Sequence, residues 1–267
     1  MTVYCPAKVN TFLSVGPPDE HGYHPIRTVF QAVSLFDELE IEQSMSDDIT
    51  CDWPGLPAEN TVTKALRLIR ELVGIPPLSI RITKRIPSQA GLGGGSSDAA
   101  GVIRAAKQLA PDLVSDRFAH EVAVAVGADV PFFLVGGRAR ATGYGDVLEP
   151  QSDVRHKWLL VVKPESGVDT SEAYKKLDQA QREWERFSDA PYNDFERVAP
   201  FECGMIAERL RDHGATATLL CGSGSAVFGE FESEQGAKAA EKKILGEVIG
   251  KPFVVHTLTR QESLWIS

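Results

Sequence analysis

The sequence is poor in cysteine, and its four cysteines, Cys5, Cys51, Cys203 and Cys221, form no C-x-x-C pair. That excludes a zinc ribbon and a thioredoxin-type redox centre. The four read instead as reduced, mostly buried thiols, because free cysteine behaves as a small hydrophobe. The six histidines are scattered and make no H-E-x-x-H, which argues against a zinc hydrolase. Long apolar runs are missing as well; nothing approaches the ~18 residues of a membrane span. The first residues, MTVYCPAKVN, lack the charged-then-apolar pattern of a secretory signal. A cytoplasmic protein with no membrane partner is expected. Positive charge is in deficit, 28 Lys+Arg against 37 Asp+Glu for a net −9, so no nucleic-acid partner is expected either. What remains is an ordinary globular composition, 43% apolar and 24% charged, over 267 residues. This length holds one large domain or two modest ones with ample core.

Residues 26–43 are rich in Val, Ile and Phe with partial alternation and read as strand. Asn60 can cap a helix, in which Val62, Leu66, Ile69 and Leu72 follow at helical spacing up to a stop at Gly74. Leu78, Ile80 and Ile82 alternate with Ser79, Arg81 and Thr83, the pattern of a half-buried strand. Pro87 interrupts it and a glycine cluster follows. A helix over 99–109 and a capped one over 115–126 come next, then glycines and a strand pattern to 149. The polar stretch 149–157 reads as a break. Beyond it lie a short strand at 158–162, helices around 170–187 and 201–213, and a hairpin ATATLLC–GSG–SAVFGEF. A polar helix over 233–249 and a strand over 252–258 complete the chain. This order predicts two α+β domains, 1–150 and 151–267, with helices on one sheet face of the second. A ligand cleft is expected between them.

The most informative piece runs through Pro87, Ser88, Gln89, Ala90, Gly91, Leu92, Gly93, Gly94, Gly95, Ser96 and Ser97, between a strand and a helix. Four glycines in five positions remove β-carbons where a backbone must approach something closely. The helix that follows turns its unpaired N–H groups and positive dipole end toward the loop. Such an arrangement suits a polyphosphate. It is not a Walker A loop, for no G-K-[ST] ends it. It is a poor dinucleotide fingerprint too, since the G-x-G-x-x-G frame from Gly91 meets Ser96. An ordinary flexible turn with a serine cap is the competing reading.

Other segments bear on that choice: CPAKVNTFLSVG (5–16), HGYHPIRTVFQ (21–31), IPSQAGLGGGSSDAA (86–100), GADVPFF (127–133), ATGYGDVLEP (141–150), NDFE (193–196) and GSGSAVF (222–228). Together and in this order they resemble the GHMP kinases, the superfamily of galactokinase, homoserine kinase, mevalonate kinase and phosphomevalonate kinase. The PAK-N and GYH elements with the glycine loop are similar to the branch whose acceptor carries a cytidine diphosphate. The resemblance implies an α+β, two-domain GHMP-kinase fold. Its N-terminal domain would carry the phosphate loop, and its C-terminal domain would be an α/β sandwich of ferredoxin-like type. It implies ATP and Mg²⁺ as cofactors. The small-molecule substrate it implies is 4-diphosphocytidyl-2-C-methyl-D-erythritol, phosphorylated on its 2-hydroxyl for isoprenoid precursor synthesis.

By the same resemblance Lys8 and Asp129 meet the reacting hydroxyl, and residues 87–97 hold the ATP phosphates. Asn10, Tyr23 and His24 lie near the cytidine and erythritol groups. Thr170 and Tyr174 come from the second domain, with Tyr174 covering the base. A monomer or a homodimer is compatible with this. Two positions depart from the family pattern. Gln89 stands where a small residue is usual, which puts the loop's local shape in question; Cys5 stands where alanine is usual, with a packing effect expected.

The chemistry asked of these residues is modest, because phosphoryl transfer needs positioning and charge neutralisation more than covalent work. Asp129 can accept the hydroxyl proton or orient the hydroxyl, and Lys8 can neutralise the transferring group. Tyr23 and Tyr174 offer faces on which a pyrimidine stacks, and His24 can bond the base edge. Taken singly, each residue also has a plain structural reading. Lys8 can be an exposed strand lysine, Asp129 a turn residue beside Pro131, Tyr23 and His24 loop packing, and 222–225 a hairpin turn. Two other functions stay open: a sister kinase with a smaller acceptor such as homoserine or mevalonate, and a nucleotide-binding sensor without turnover.

Overall fold

The computed structural model describes residues 1–180, 183–247 and 249–267. Strands β1 (Thr2–Val15) and β2 (Ile26–Gln43) pair antiparallel along their length and form the spine of a seven-stranded sheet. Next come β3 (Asp48–Cys51), α1 (Thr61–Leu72) and β4 (Leu78–Thr83); β4 pairs with β2 at 38–43, and β3 runs parallel to β4. Helices α2 (Gly94–Leu109), α3 (Asp116–Val126) and the short α4 (Phe132–Val135) follow, then β5 (Arg138–Thr142) and β6 (Val147–Pro150). β5 takes the other half of β2, at 28–31.

The second half of the chain starts with β7 (Trp158–Lys163) and α5 (Thr170–Asp178). A two-residue strand, β8 (Tyr192–Asn193), returns to the first sheet and lies parallel to β1 at Phe12 and Leu13. Then come α6 (Phe201–Asp212), β9 (Ala217–Leu220), β10 (Val227–Phe231), α7 (Glu234–Glu247), β11 (Lys251–His256) and α8 (Arg260–Ser263). The second sheet has the order β11-β7-β10-β9 with every neighbour antiparallel. With α6 and α7 as its crossovers this is the expected ferredoxin-like sandwich.

Three cores follow from alternation. Val3, Cys5, Phe30, Leu39 and Ile41 of the first sheet pack with Leu66, Ile69, Val102 and Ile103 of its helices. Leu160 and Val162 of β7 pack against Leu177, Ile206 and Ile244 on the helical side of the second sheet. Leu159 and Val161 point the other way, as period-two side chains must. They meet Ala7, Val9 and Val33, so the two sheets are welded face to face by a buried apolar layer. The end of the chain also returns to the first sheet: Leu258 N donates to Ala32 O at 2.9 Å, and Thr2 N to Ser267 O at 2.8 Å.

Most predicted elements are present, with informative differences. The helix expected from Ala99 begins at Gly94, five residues earlier. The stretch 127–149 holds α4 as well as two strands. The helix expected over 170–187 ends at Asp178. Residues 181 and 182 of that expectation lie outside the described residues, and 183–187 are irregular chain. There Arg27 lies 3.9 Å from the Trp184 ring and donates to the Glu185 carbonyl at 3.1 Å, while Glu185 N donates to Ser14 Oγ at 2.9 Å. These contacts with β1 and β2 replace the hydrogen bonds a continued helix would make.

Candidate active site

A shift in strand pairing delivers the first candidate residues. The β1–β2 register slips between Pro6 and Ala7. Before the slip Val3 and Cys5 face the helices; after it Ala7 and Val9 face the second sheet. The backbone irregularity at this point, where β2 carries extra residues opposite Pro6 and Ala7, is where the strand's two faces exchange. Lys8 and Asn10 are thereby turned toward the start of α2, where Lys8 N donates to Leu92 O at 3.0 Å. Lys8 is 4% exposed and Asn10 1%. A buried ammonium needs partners, and a relay supplies them. Lys8 Nζ donates to Asn10 Oδ1 at 2.9 Å, Asn10 Nδ2 to Thr28 Oγ1 at 2.7 Å, and Thr28 Oγ1 to Phe12 O at 2.7 Å. Lys8 Nζ also lies 3.6 Å from Asp129 Oδ2 and 5.3 Å from the centre of the Phe30 ring. Two charges 121 positions apart in sequence thus meet at one point.

The glycine loop reaches the same point. Gly91 and Gly93 have left-handed φ values of 73° and 75°. A β-carbon on Gly93 would come within 2.8 Å of the Phe133 ring and 3.2 Å of Lys8 Cγ. Gly93 is the N-cap of α2, no side chain caps that end, and no acidic residue stands in its first turn. The first N–H groups therefore stay available, with the positive end of the helix dipole behind them. Thr61 Oγ1, at the start of α1, donates to Gly95 O at 2.6 Å and braces the turn. A cleft of about 730 Å³ opens here, lined by residues 87–96 together with Lys8, Asn10, Asp129, Thr170 and Tyr174. Its wall carries five cationic side chains, Lys8, Lys84, Arg85, Lys163 and Lys251, against two acidic ones, Asp98 and Asp129. In a chain of net charge −9 that local excess favours a polyanion.

The remaining candidates sit around this cleft. Ser97 is fully buried behind the wall, and its hydroxyl has no hydrogen-bond partner among the described residues. Gln89 adopts φ 51°. Its carbonyl accepts from Val168 N at 3.4 Å and Ser225 N at 3.3 Å. Its side chain lies where a β-carbon on Gly167 would fall 2.2 Å from its Oε1. The departure at this position is therefore absorbed by a glycine in the second sheet's loops, and Gln89 joins the two halves of the cleft. Cys5 is similarly absorbed, since a β-carbon on Gly101 would be 2.5 Å from its sulfur. Thr170 Oγ1 lies 3.1 Å from Ser223 Oγ in the hairpin turn.

Tyr23 and His24 stand at the mouth, outside the cleft wall. Tyr23 is 66% exposed. His24 Nε2 is 2.7 Å from Asp178 Oδ1, and its ring packs 4.9 Å from Tyr174. That nitrogen is engaged with α5, so the side chain serves as a clasp in this arrangement and leaves Nδ1 as its other ring nitrogen.

Sequence reading missed several residues. Trp53, Leu56, Asn60 and Thr61 line the cleft beyond the glycine loop and give it an apolar end. Trp53 lies over Gly55, whose β-carbon would stand 2.6 Å from its ring; a tryptophan among Pro and Gly in a polar loop was the available signal. Lys84 Nζ bonds Asp37 Oδ2 at 2.5 Å and Asp98 Oδ2 at 2.6 Å, and Asp37 Oδ1 accepts from Arg85 N and Ile86 N. Burial first, then the Asp37 charge, pushes the Asp98 carboxyl up to about 7, with Lys84 opposing. Burial disfavours the Lys84 ammonium, yet the two carboxylates outweigh it and hold its pKa above the usual lysine value. This cluster fixes the strand end from which the loop departs.

Comparison with known proteins agrees with the geometry. The models for the GHMP kinases N terminal domain and the GHMP kinases C terminal match residues 60–137 and 205–248. The chain is 37% identical to the 4-diphosphocytidyl-2-C-methyl-D-erythritol kinase of Protochlamydia amoebophila, over 85% of this chain and 83% of that one. It is 38% identical to the enzyme of the same name from Geobacter metallireducens, covering 91% and 94% of the two chains. A crystal structure of 4-(cytidine 5'-diphospho)-2C-methyl-D-erythritol kinase superposes with a TM-score of 0.82 at 34% identity, over 96% of this chain and 99% of the other. A homoserine kinase from Cytophaga hutchinsonii shares the fold, with a TM-score of 0.72 at 18% identity over 98% and 96%. The chain belongs to the GHMP kinase family, in its 4-diphosphocytidyl-2-C-methyl-D-erythritol kinase branch.

Proposed function

We propose that the protein transfers the γ-phosphoryl group of ATP to the 2-hydroxyl of 4-diphosphocytidyl-2-C-methyl-D-erythritol. The observation that carries this reading is the meeting of Lys8 and Asp129, 3.6 Å apart, beside an uncapped helix start in one cationic cleft. On this reading residues 1–150 form the nucleotide-binding unit and residues 151–267 the second unit. The main chain of 87–97 holds the ATP phosphates, and Trp53 and Leu56 take the apolar adenine end. Asp129 orients the acceptor hydroxyl and receives its proton. Lys8, fixed by Asn10, neutralises charge on the group in transit; such preorganised charge is effective because it needs no reorganisation during the reaction.

The acceptor's nucleotide lies toward Tyr174, Tyr23 and His24. Binding energy from that distant handle holds the hydroxyl in place. Mg²⁺ suits the donor set. Among the described residues no group of three His, Cys, Asp or Glu could hold a metal, but magnesium keeps several waters and takes phosphate oxygens. The Ser97 hydroxyl, which has no hydrogen-bond partner among the described residues and lies just behind the loop, is the protein oxygen that would hold it. When bound, the magnesium ion would offset negative charge on the phosphates. Reaction in the cytoplasm agrees with these needs, and no helix among the described residues is long and apolar enough to cross a membrane.

The test is direct. Purified protein with MgATP and the cytidyl acceptor is followed for ADP release and for a phosphorylated product. Folded protein that releases no ADP above background refutes the reading. Release with a small alcohol such as homoserine, and none with the cytidyl compound, would move the assignment to a sister kinase.

A further inference from the structure

The turn between β5 and β6 touches both ends of the acceptor side. At one end is Gly145 (φ 107°), where a β-carbon would stand 3.8 Å from Asp129 Oδ1, 3.8 Å from Phe30 Cζ and 3.3 Å from Ile26 Cδ1. At the other is Tyr144, whose ring packs against Tyr23 with centroids 5.8 Å apart and planes inclined at 59°. The Tyr144 hydroxyl donates to Asp19 Oδ2. Asp19 Oδ1 accepts the N–H groups of His21 and Tyr23, each at 2.9 Å. Asp19 therefore folds the 19–23 loop on itself, and Tyr144 fastens that loop to the hairpin. The turn is itself well tied: Tyr144 N donates to Asp146 Oδ1 at 2.9 Å, Gly145 N to Thr142 O at 3.1 Å, and Ile26 N to Gly143 O at 2.7 Å.

We propose that Tyr144 is a specificity-determining residue for the base end of the acceptor, forming with Tyr23 one aromatic surface for the pyrimidine. Its hydrogen bond to Asp19 sets the position of that surface relative to Asp129. The inference rests on the acceptor reading above and deepens it. Three observations support it. Tyr23 and Tyr144 are 66% and 45% exposed, so both rings remain reachable from solvent beside the turn that approaches Asp129. Exposed ring faces are where bases stack. A hydrogen bond between two exposed side chains adds little to folding, so its use lies in holding the loop before the ligand arrives, which lowers the ordering cost of binding. Finally, the same four-residue turn reaches Asp129. An acceptor long enough to meet both ends is placed by it, whereas a homoserine-sized alcohol at Asp129 leaves Tyr144 untouched.

The experiment compares wild-type protein with Tyr144→Ala, Tyr144→Phe and Asp19→Asn. Loss of one stacking face should raise KM for the cytidyl acceptor about tenfold in Tyr144→Ala, and loss of the hydroxyl–carboxylate hydrogen bond alone about threefold in Tyr144→Phe and Asp19→Asn. The inhibition constant of CDP rises in step, while kcat, KM for ATP and Tm stay at wild-type values. That split separates positioning of the base from a general structural role. Wild-type KM and CDP inhibition in Tyr144→Ala overturn the inference and leave the acceptor reading standing. A loss that falls on kcat or on KM for ATP instead also overturns it. Wild-type protein that neither turns over the cytidyl compound nor binds CDP removes the acceptor reading and this inference together.

Discussion

Gly91 and Cys221 approach so closely that a β-carbon on the glycine would stand 1.8 Å from the Cys221 carbonyl oxygen. The contact joins the glycine loop beside the first sheet to the hairpin of the second. Ala90 O accepts from Ala226 N at 3.2 Å beside it. The obstacle is main chain, so no rotamer change relieves it.

Gly91→Ala accordingly should lower stability by about 2–4 kcal/mol, adding overpacking to a left-handed backbone that alanine resists. KM for ATP should rise with it, because the loop amides move. Gly204→Ala is the control: nothing lies within 4 Å of its β-carbon, and alanine in a helix should add up to ~1 kcal/mol. Thermal denaturation of the two variants, with ATP titrations, checks both statements. Equal Tm values for them would contradict the packing shown.

Asp129→Asn keeps the shape of the side chain and removes its charge. Turnover should fall about 10²–10⁴-fold, the usual contribution of a proton acceptor, with ATP affinity little changed. Lys8→Met should lower turnover and also strand the Asn10 amide oxygen that the ammonium now bonds. Steady-state kinetics beside nucleotide binding separates the two. Undiminished turnover in Asp129→Asn would take that residue out of the chemistry.

The buried Asp98 carboxyl makes stability depend on pH in a stated direction. Its pKa is near 3.8 when exposed and is pushed up to about 7 in the fold by burial and by Asp37. The folded protein therefore holds a proton there that the unfolded chain has lost, between these two values. Such a group contributes stability at low pH that is lost as pH rises through about 7. The stability of wild type relative to Asp98→Asn should improve by on the order of 1 kcal/mol from pH 7.5 to pH 5.5. Denaturant titrations at the two pH values measure it; a difference of opposite sign would show that Lys84 dominates the carboxyl.

Gly101→Ala should cost about 1–3 kcal/mol by overpacking despite alanine's better helix propensity, because its β-carbon meets the Cys5 sulfur at 2.5 Å. Cys5→Ala in the same chain should restore most of the loss. A double-mutant cycle gives the coupling, and additive losses would disprove the contact.

The parts of the fold legible in the sequence were those whose signals are local. Alternation at 78–83 and the glycine cluster after Pro87 marked the strand-to-loop passage without any partner. The start of α2 was misplaced because glycine and serine are weak helix formers. In the structure Thr61 holds Gly95 in the helical turn, a contact across 34 positions. The end of α5 was misplaced for the reverse reason: 183–187 carry a helix-compatible composition, and Arg27 and Ser14 take their main-chain groups instead. In the site, the loop could be argued from chemistry alone. The pairing of Lys8 with Asp129 could not, since nothing within either segment refers to the other, and only resemblance to a family joined them. The Lys84, Asp37 and Asp98 cluster lay hidden because three ordinary charged residues carry no spacing signal.

The apolar layer between the two sheets has a consequence for dissection. A gene cut within the polar stretch 151–157 would yield fragments that each expose half of that layer. The first fragment would also lack β8 and the returning chain segment at Leu258. Neither piece would be expected to stay in solution by itself, yet their complementary faces make them candidates for reassembly when produced side by side. Restored phosphotransfer on mixing would then report that the seam had closed.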